Sequence, residues 1–546
     1  MTFVYSRKRL RRKDEFLQRL FEVLPGATSW SLILGLVALS FWMPLVSSIL
    51  VIAFLLGWIL RLFYLTFFLV LSYLRLSLEK NTDWLERIRG MDRLDDYFAS
   101  LGKVNGRKDW KSRMSLWFHR KELIKLKKMG EDIPPPSSQI YHLVVIPIVK
   151  ETAAVIEANI AGIAGNHVLA KQILVAIALE GRAQASLKEG VRQVAAKYRT
   201  RFMDLLVVEH PDGLPGEARV KGANTTYAAK AAAAYFEKRR IPFENVIVSC
   251  FDADTVVSSL YFSCLTYCFM VCPDRHRASF QPIPVYHNNI WEVPGFARVV
   301  ETGSSFFQLI ETTDPEKLVT FSSHSMSFQA LVEVGYWPTD MISDDSGIFW
   351  KAYLHFDGHY QVVPMLMTLS MDVVDAGAWW RTVMSLYKQK RRWAWGVENF
   401  PLVMRGFLKN KKISLYNKMR HGFKLFEAHV TWAALPFLLT FVGWLPTILA
   451  GEEFSKTVLY YSASRFTQAI FSLSSLALIG TIFLSMWLLP RKKKKTSLLW
   501  TLIHGLEWFL VPLILIFLSA MPALDAQTRL MFNRRMEFWV SDKRRA

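Results

Sequence analysis

Between Ser29 and Leu74 the chain carries a single charge, Arg61, in an otherwise almost wholly apolar run. A helix that crosses a bilayer needs about 20 apolar residues, so this run has room for two crossings, with Pro44 near the turn between them. Three more apolar blocks follow at 429–450, 469–489 and 498–520, each long enough to cross. Composition agrees: 52% of the 546 residues are hydrophobic and 14% aromatic, above the soluble norm of about 45 to 50% apolar. A cleaved signal peptide is not expected, because its apolar core spans only about 7 to 15 residues and starts earlier.

Charge sets the expected sidedness. Arg7–Lys13 reads RKRLRRK and Arg491–Lys495 reads RKKKK, and the excess of Lys and Arg on cytoplasmic loops places both in the cytosol. With two crossings first, 75–424 lies on that side too, and the expected location is a bacterial inner membrane with the central domain cytoplasmic. The last block strains this account, since a full crossing would export Arg534, Arg535, Lys543, Arg544 and Arg545; a re-entrant block removes the conflict. The net charge of +21 concentrates at membrane flanks and in Arg381–Lys424, beside Trp379, Trp380, Trp393, Trp395 and Phe400. Basic residues among aromatics next to a span suit anionic lipid as partner and not nucleic acid. Cys264, Cys268 and Cys272 recur every fourth residue, which puts them on one helix face as small apolar residues, consistent with a reducing compartment. The chain divides into a basic N-terminus (1–27), two membrane helices (28–77), an amphipathic linker (78–138), a central domain (139–377), basic aromatic interface helices (378–428), three membrane or re-entrant segments (429–520) and a basic tail (521–546).

In the central domain the pattern changes. Apolar runs at His142–Glu151, Ile173–Gly181, Asp204–Pro211 and Asn245–Asp254 read as strands, and helical stretches such as the alanine-rich Asn224–Lys238 separate them. Strands alternating with helices predict an α/β domain with a mostly parallel sheet and helices on both faces. Ligands of such sheets collect at the carboxyl ends of the strands, where Glu180, Asp252 and Asp254 fall. Asp252 and Asp254 end an apolar strand in FDADT. Two carboxylates at that spacing can reach one hard cation, Mg2+ or Mn2+, whose remaining ligands come from substrate phosphate; a turn or helix N-cap is the plainer alternative.

The chain resembles the membrane family 2 glycosyltransferases, the group that includes cellulose, chitin and hyaluronan synthases. The ordered motifs that carry the resemblance run from Tyr141 to Trp395: VVIPIVKE, then Glu180, then GEARVKGANTTYA with Lys221 and Asn224, FDADT, SDDS at Ser343–Ser346, and QKRRW at Gln389–Trp393, a full QxxRW. Two positions depart from the family pattern: Asp344 stands for the usual Glu, and Glu180 for the usual Asp. The resemblance implies a GT-A-like nucleotide-sugar domain inserted between transmembrane helices, and an inverting, metal-dependent transfer from a nucleotide sugar, expected to be a UDP-sugar, to a growing glycan. It places Glu180, Lys221, Asp252 and Gln281 on the nucleotide sugar, Asp252 and Asp254 on the metal, and Gln389, Arg392 and Trp393 at the acceptor and diphosphate, Trp393 as a stacking face for sugar. Asp345 is the implied general base beside Asp344, in a turn where adjacent like charges raise the pKa of one partner. Transfer of one sugar to a lipid carrier, and a non-catalytic scaffold with a degenerate domain, are the alternatives. His324 reads as a loop residue outside the acid–base set. His504 and Glu507, three apart in an apolar block, can face each other. The tail EFWVSDK (Glu537–Lys543) is similar to a cytoplasmic FxVTxK segment of several synthases, which again favours a re-entrant last block.

Overall fold

The computed structural model describes the chain except 1–3, 9, 104–108, 129–132, 167–168, 442–444, 450–455, scattered positions between 457 and 488, 491–502, 542 and 544–546. The four expected strands form as β1 (Tyr141–Ile148), β2 (Ile173–Glu180), β3 (Asp204–His210) and β4 (Val246–Cys250), all parallel. Alternation along them divides the core. Val144, Ile146 and Ile148 of β1, with Ile173, Val175 and Ile177 of β2, face the helices Ala153–Ala164 and Tyr261–Val271. Leu143, Val145, Leu174 and Ala176 face the opposite helices Lys221–Lys238 and Asp344–His355. Both faces are therefore covered, as a parallel sheet requires.

Three strands go beyond the sequence expectation: β5 (Ala278–Val285), β6 (Ser325–Ser327) and β7 (Gln361–Ser370) complete a seven-stranded sheet in the order β3-β2-β1-β4-β6-β5-β7. The short β6 runs antiparallel to β4 and β5, and it delivers the loop Thr320–His324 to the carboxyl end of β4.

Among the described residues three helices are long and apolar enough to cross a membrane: Arg12–Trp42, Pro44–Glu79 and Ile503–Met531. The break between the first two falls at Met43–Pro44. The first helix begins well before the apolar run, because Asp14 and Glu15 suit its N-terminal turn and Arg19 pairs with Glu22 one turn on. In the block expected at 429–450, the helix Leu415–Thr440 stops before Leu445–Leu449 resumes; most of 469–489 lies outside the described residues. The last helix, Ile503–Met531, is tied near one end to the central domain, Glu507 to Arg298 at 2.5 Å, and near the other to the QKRRW helix, Asp525 to Arg391 at 2.8 Å.

His504 and Glu507 do face each other, 3.1 Å apart, and both contact Arg298. The helix that bears Arg298, Gly295–Glu311, also sends Glu301 to Lys390 at 3.0 Å and Glu311 to Lys424 at 2.8 Å. All four cysteines are buried and unpaired as disulfides.

Candidate active site

The centre of the site is one ammonium group. Lys221 opens the helix Lys221–Lys238 below the carboxyl ends of the strands, and its Nζ donates to Asp252 Oδ1 at 2.8 Å and to Asp345 Oδ1 and Oδ2 at 2.8 and 3.1 Å. The next residue has to be glycine: a Cβ on Gly222 would stand 2.1 Å from the Pro338 carbonyl oxygen, so this close approach brings Lys221 against the turn that carries Asp344 and Asp345. Lys221 is buried, while Asp252 and Asp345 keep 27% and 24% of their side-chain surface exposed, enough to meet a ligand.

The charges tune one another. Burial would lower Lys221, but Asp252 and Asp345 hold its pKa well above the ordinary lysine value. Burial would raise Asp252, yet Lys221 and then Lys543 hold it below the usual carboxylate range. Burial and then the adjacent Asp345 push Asp344 well above that range, with Lys221 opposing. Ser322 donates to Asp252 Oδ2 at 2.6 Å. Wholly buried His324 lies 3.9 Å from Asp345 and donates from Nδ1 to the Phe321 carbonyl; its own carbonyl takes the Cys250 amide.

Asp254 turns the other way. It is 2% exposed, and its Oδ2 accepts from the Asp372 backbone amide at 2.8 Å and pairs with Lys543 at 2.6 Å. The charge of Lys543 acts on Asp254, Asp252 and Asp372 together. Lys543 thus pairs with Asp254 directly and reaches Asp252 through its charge. Among the described residues no three His, Cys, Asp or Glu side chains converge as a ready-made metal site, so Asp252 and Asp254 would hold an ion only with phosphate or water completing its shell. Beside this cluster opens a cavity of about 560 Å³ walled by Lys150, Arg381, Lys388, Trp539 and Lys543.

QKRRW lies on the helix Trp379–Ala394, whose far end reaches the same region. Lys390 is buried against Glu301 and sits 3.7 Å from the centre of the Trp393 ring; Arg392 lies over Phe538 of the tail at 5.2 Å. Gln389 is buried with its side-chain oxygen unpartnered among the described residues.

No protein-family model matches the chain. It is 27% identical over 255 residues to the poly-beta-1,6-N-acetyl-D-glucosamine synthase of Staphylococcus epidermidis strain RP62A, a match covering 42% of this chain and 53% of that one. The match thus spans about half of that relative's length. A synthase of the same name from Staphylococcus aureus strain COL is 36% identical over 93 residues, 16% of this chain and 19% of that one. These sequence matches support the expected resemblance to the membrane family 2 glycosyltransferases. Among solved structures, the mannosyltransferase PcManGT of Pyrobaculum calidifontis with GDP-Man and Mn2+ aligns with a TM-score of 0.40 at 15% identity, over 65% of this chain and 93% of that one. TarS 1-349 of S. aureus with UDP aligns with a TM-score of 0.34 at 10% identity, over 66% and 94%.

The remaining motif residues lie further out. Glu180 pairs with Arg182 and lines a second cavity, of about 160 Å³, between the ends of β2 and β3 with His210, Asp212 and Arg219. Asn224 ties its helix to β2 through the Ala178 carbonyl at 2.7 Å. Gln281 has no surface in the cleft: it is wholly buried and accepts from the Phe321 amide at 3.0 Å, so it props the loop that presents Ser322. Sequence reasoning missed Ser322, Asp372, Glu398 and the reach of Lys543 to Asp254. Asp372 follows β7, a strand the sequence does not announce, and Glu398 stands five residues beyond QKRRW with no motif of its own.

Proposed function

We propose that this chain transfers a sugar from a UDP-sugar to a growing glycan at the cytoplasmic face of a membrane, with inversion and with a divalent cation. The observation that carries the reading is Lys221, whose one ammonium draws FDADT and SDDS into a single cluster. In this reading the acceptor hydroxyl oxygen forms the new bond to the anomeric carbon, its proton passes to Asp345, and the bond to the diphosphate breaks with its electron pair on the leaving group. Attack opposite that group inverts the centre. When bound, a cation on Asp252 and Asp254 would neutralise charge on the diphosphate. Lys221 holds Asp252 ionised, Arg392 offers a forked donor to phosphate, and Trp393 presents a half-buried face to the acceptor. The cationic wall of the larger cavity, with Lys150, Arg381 and Lys388, suits an anionic donor.

Sidedness has its own support. Ser6 reaches Asp340 and Lys8 reaches the Gly216 carbonyl, while Lys543 reaches Asp254, so the N-terminal segment and the tail lie on the cleft's side of the apolar helices. That agrees with the cytoplasmic placement of basic segments.

The test is to incubate the purified protein, in detergent or nanodiscs, with Mn2+ and labelled UDP-sugars, UDP-N-acetylglucosamine first, and to size the product. UDP release and a polymer that both vanish in Asp345→Asn are expected. A single-sugar lipid product would replace the polymer reading, and the absence of UDP release with every donor would overturn the enzymatic one.

A further inference from the structure

The turn that presents Asp344 and Asp345 is held from beneath by two consecutive side chains that belong to no motif. Glu398 Oε1 accepts from the Ile342 amide at 3.0 Å, the Ser343 amide at 2.9 Å and the Ser343 hydroxyl at 2.8 Å. Asn399 Nδ2 donates to the Ser343 and Ser346 hydroxyls at 3.1 and 3.0 Å, one on each side of the acidic pair. Ser343 stands at the N-cap of the helix Asp344–His355, yet its side chain makes no capping bond. An N-cap serine ordinarily accepts from the first turn of its helix; here the hydroxyl is spent on Glu398 and Asn399.

Both supports are themselves held by the N-terminal segment. Tyr5 donates to Asn399 Oδ1 at 2.7 Å, and Arg7 reaches Glu398 Oε2 at 3.4 Å and Glu22 at 3.1 Å. Arg405 fixes the segment by donating to the Ser6 carbonyl at 2.9 Å. Tyr5, Glu398 and Asn399 are 6%, 2% and 1% exposed, so water cannot substitute for these partners. The bonds run in one sense: Tyr5 to Asn399, Asn399 to Ser343, Ser343 to Glu398, with Arg7 compensating the buried carboxylate. Removing a partner from such a buried network leaves a polar group unsatisfied and loosens what it holds.

We propose that Tyr5 and Arg7 are positioning residues for the sugar transfer, acting through Glu398 and Asn399 to fix the turn that aims Asp345 at the acceptor. This rests on the reading of Asp345 as the group that takes the acceptor proton. The segment stays outside the cleft. Its removal lowers turnover while leaving donor affinity intact, because Asp252 and Asp254 follow β4 and make no bond to the segment.

The experiment uses the full chain in nanodiscs with UDP-N-acetylglucosamine and Mn2+, comparing Tyr5→Phe, Arg7→Met, the pair of them, Glu398→Ala, Glu398→Gln and Asp345→Asn. Misplacing a reacting group by about 1 Å can cost about 100-fold in rate, so the double variant and Glu398→Ala are expected to lose about 10- to 100-fold in kcat with KM for the donor within about twofold. Glu398→Gln, which keeps the accepting oxygen, recovers most of the loss. Backbone amides of 342–347 exchange faster with deuterium in the same variants, a readout that needs no donor. Wild-type kcat in the double variant, or unchanged exchange at 342–347, overturns the proposal. So does a loss that appears in KM alone. If Asp345→Asn is inactive while the double variant runs at full speed, only the positioning role falls; if Asp345→Asn still turns over, the base assignment falls and the proposal with it.

Discussion

Replacing Lys221 by methionine keeps the bulk of the side chain and removes the charge that joins the two acidic motifs. At 2.8 Å each contact is worth about 6 kcal/mol at an effective dielectric of about 20. Removing one partner of a buried pair typically costs about 3 to 5 kcal/mol net. Because Asp252 and Asp345 are about a quarter exposed, water recovers part of this, and a stability loss of about 2 to 3 kcal/mol at pH 7 is the figure to expect. The loss depends on pH with a definite sign. Lys221 holds Asp252 below the ordinary carboxylate range, a contribution present above that range and lost as pH falls through the depressed value. Without the lysine Asp252 rises, and acidification relieves the repulsion between Asp252 and the adjacent carboxylate of Asp345. The gap between variant and wild type therefore narrows from pH 7 to about pH 4.5, and the acid limb of the rate profile moves up. Loss of a cationic stabiliser also lowers kcat by about 100- to 1000-fold. Thermal unfolding in detergent at both pH values and UDP release from UDP-N-acetylglucosamine measure these effects. Turnover within about twofold of wild type, or a stability gap independent of pH, would refute the account of Lys221 as the joining charge.

Gly222→Ala drives a Cβ into the Pro338 carbonyl and should cost about 1 to 3 kcal/mol of stability while displacing Lys221; a neutral result in unfolding and turnover would show that the helix can retreat. Burial holds His119 and His142 at a pKa of about 3, against about 6.5 in an unfolded chain. The stability they contribute is full above about pH 6.5 and lost as pH falls toward about 3, so an unfolding series over that range should slope downward, and His142→Asn should flatten it. Lys390→Met leaves Glu301 buried and alone and should destabilise by about 3 to 5 kcal/mol. Adding Glu301→Leu should recover most of that loss, a result no surface pair would give. Chelation by EDTA should stop UDP release and Mn2+ restore it, with Asp254→Asn requiring more Mn2+; activity indifferent to EDTA would remove the cation from the reading.

Much of this is legible in the chain. The strands β1, β2 and β4 are mostly apolar runs bounded by turns, with Pro147 inside β1, and such runs are what a doubly covered parallel sheet produces. The later strands break that rule. β5 carries Pro282 and Pro284 around a register shift between Gln281 and Ile283, and β7 carries Pro364 at the sheet edge, positions where proline is tolerated but where a sequence reading takes it as a strand breaker. β6 has only three residues. At the site, Lys221, Asp252 and Asp345 belong to ordered motifs, so their meeting can be anticipated. Tyr5, Arg7 and Glu398 cannot be found in this way: their role depends on side chains almost 400 residues apart becoming neighbours, and neither local composition nor spacing records that. The family resemblance puts Gln281 in the cleft, whereas its side chain is wholly buried and holds the loop at Phe321 and Ser322.

The helix Gly295–Glu311 constrains how the cleft can close. Arg298, Glu301 and Glu311 bind it to the last apolar helix, to the QKRRW helix and to the helix Leu415–Thr440. Among the described residues these tethers run in three directions and would resist a swing of the sheet against the apolar helices. Enclosure of a ligand would then fall to the tail around Trp539 and Lys543 at the rim of the larger cavity, and motion should be sought there.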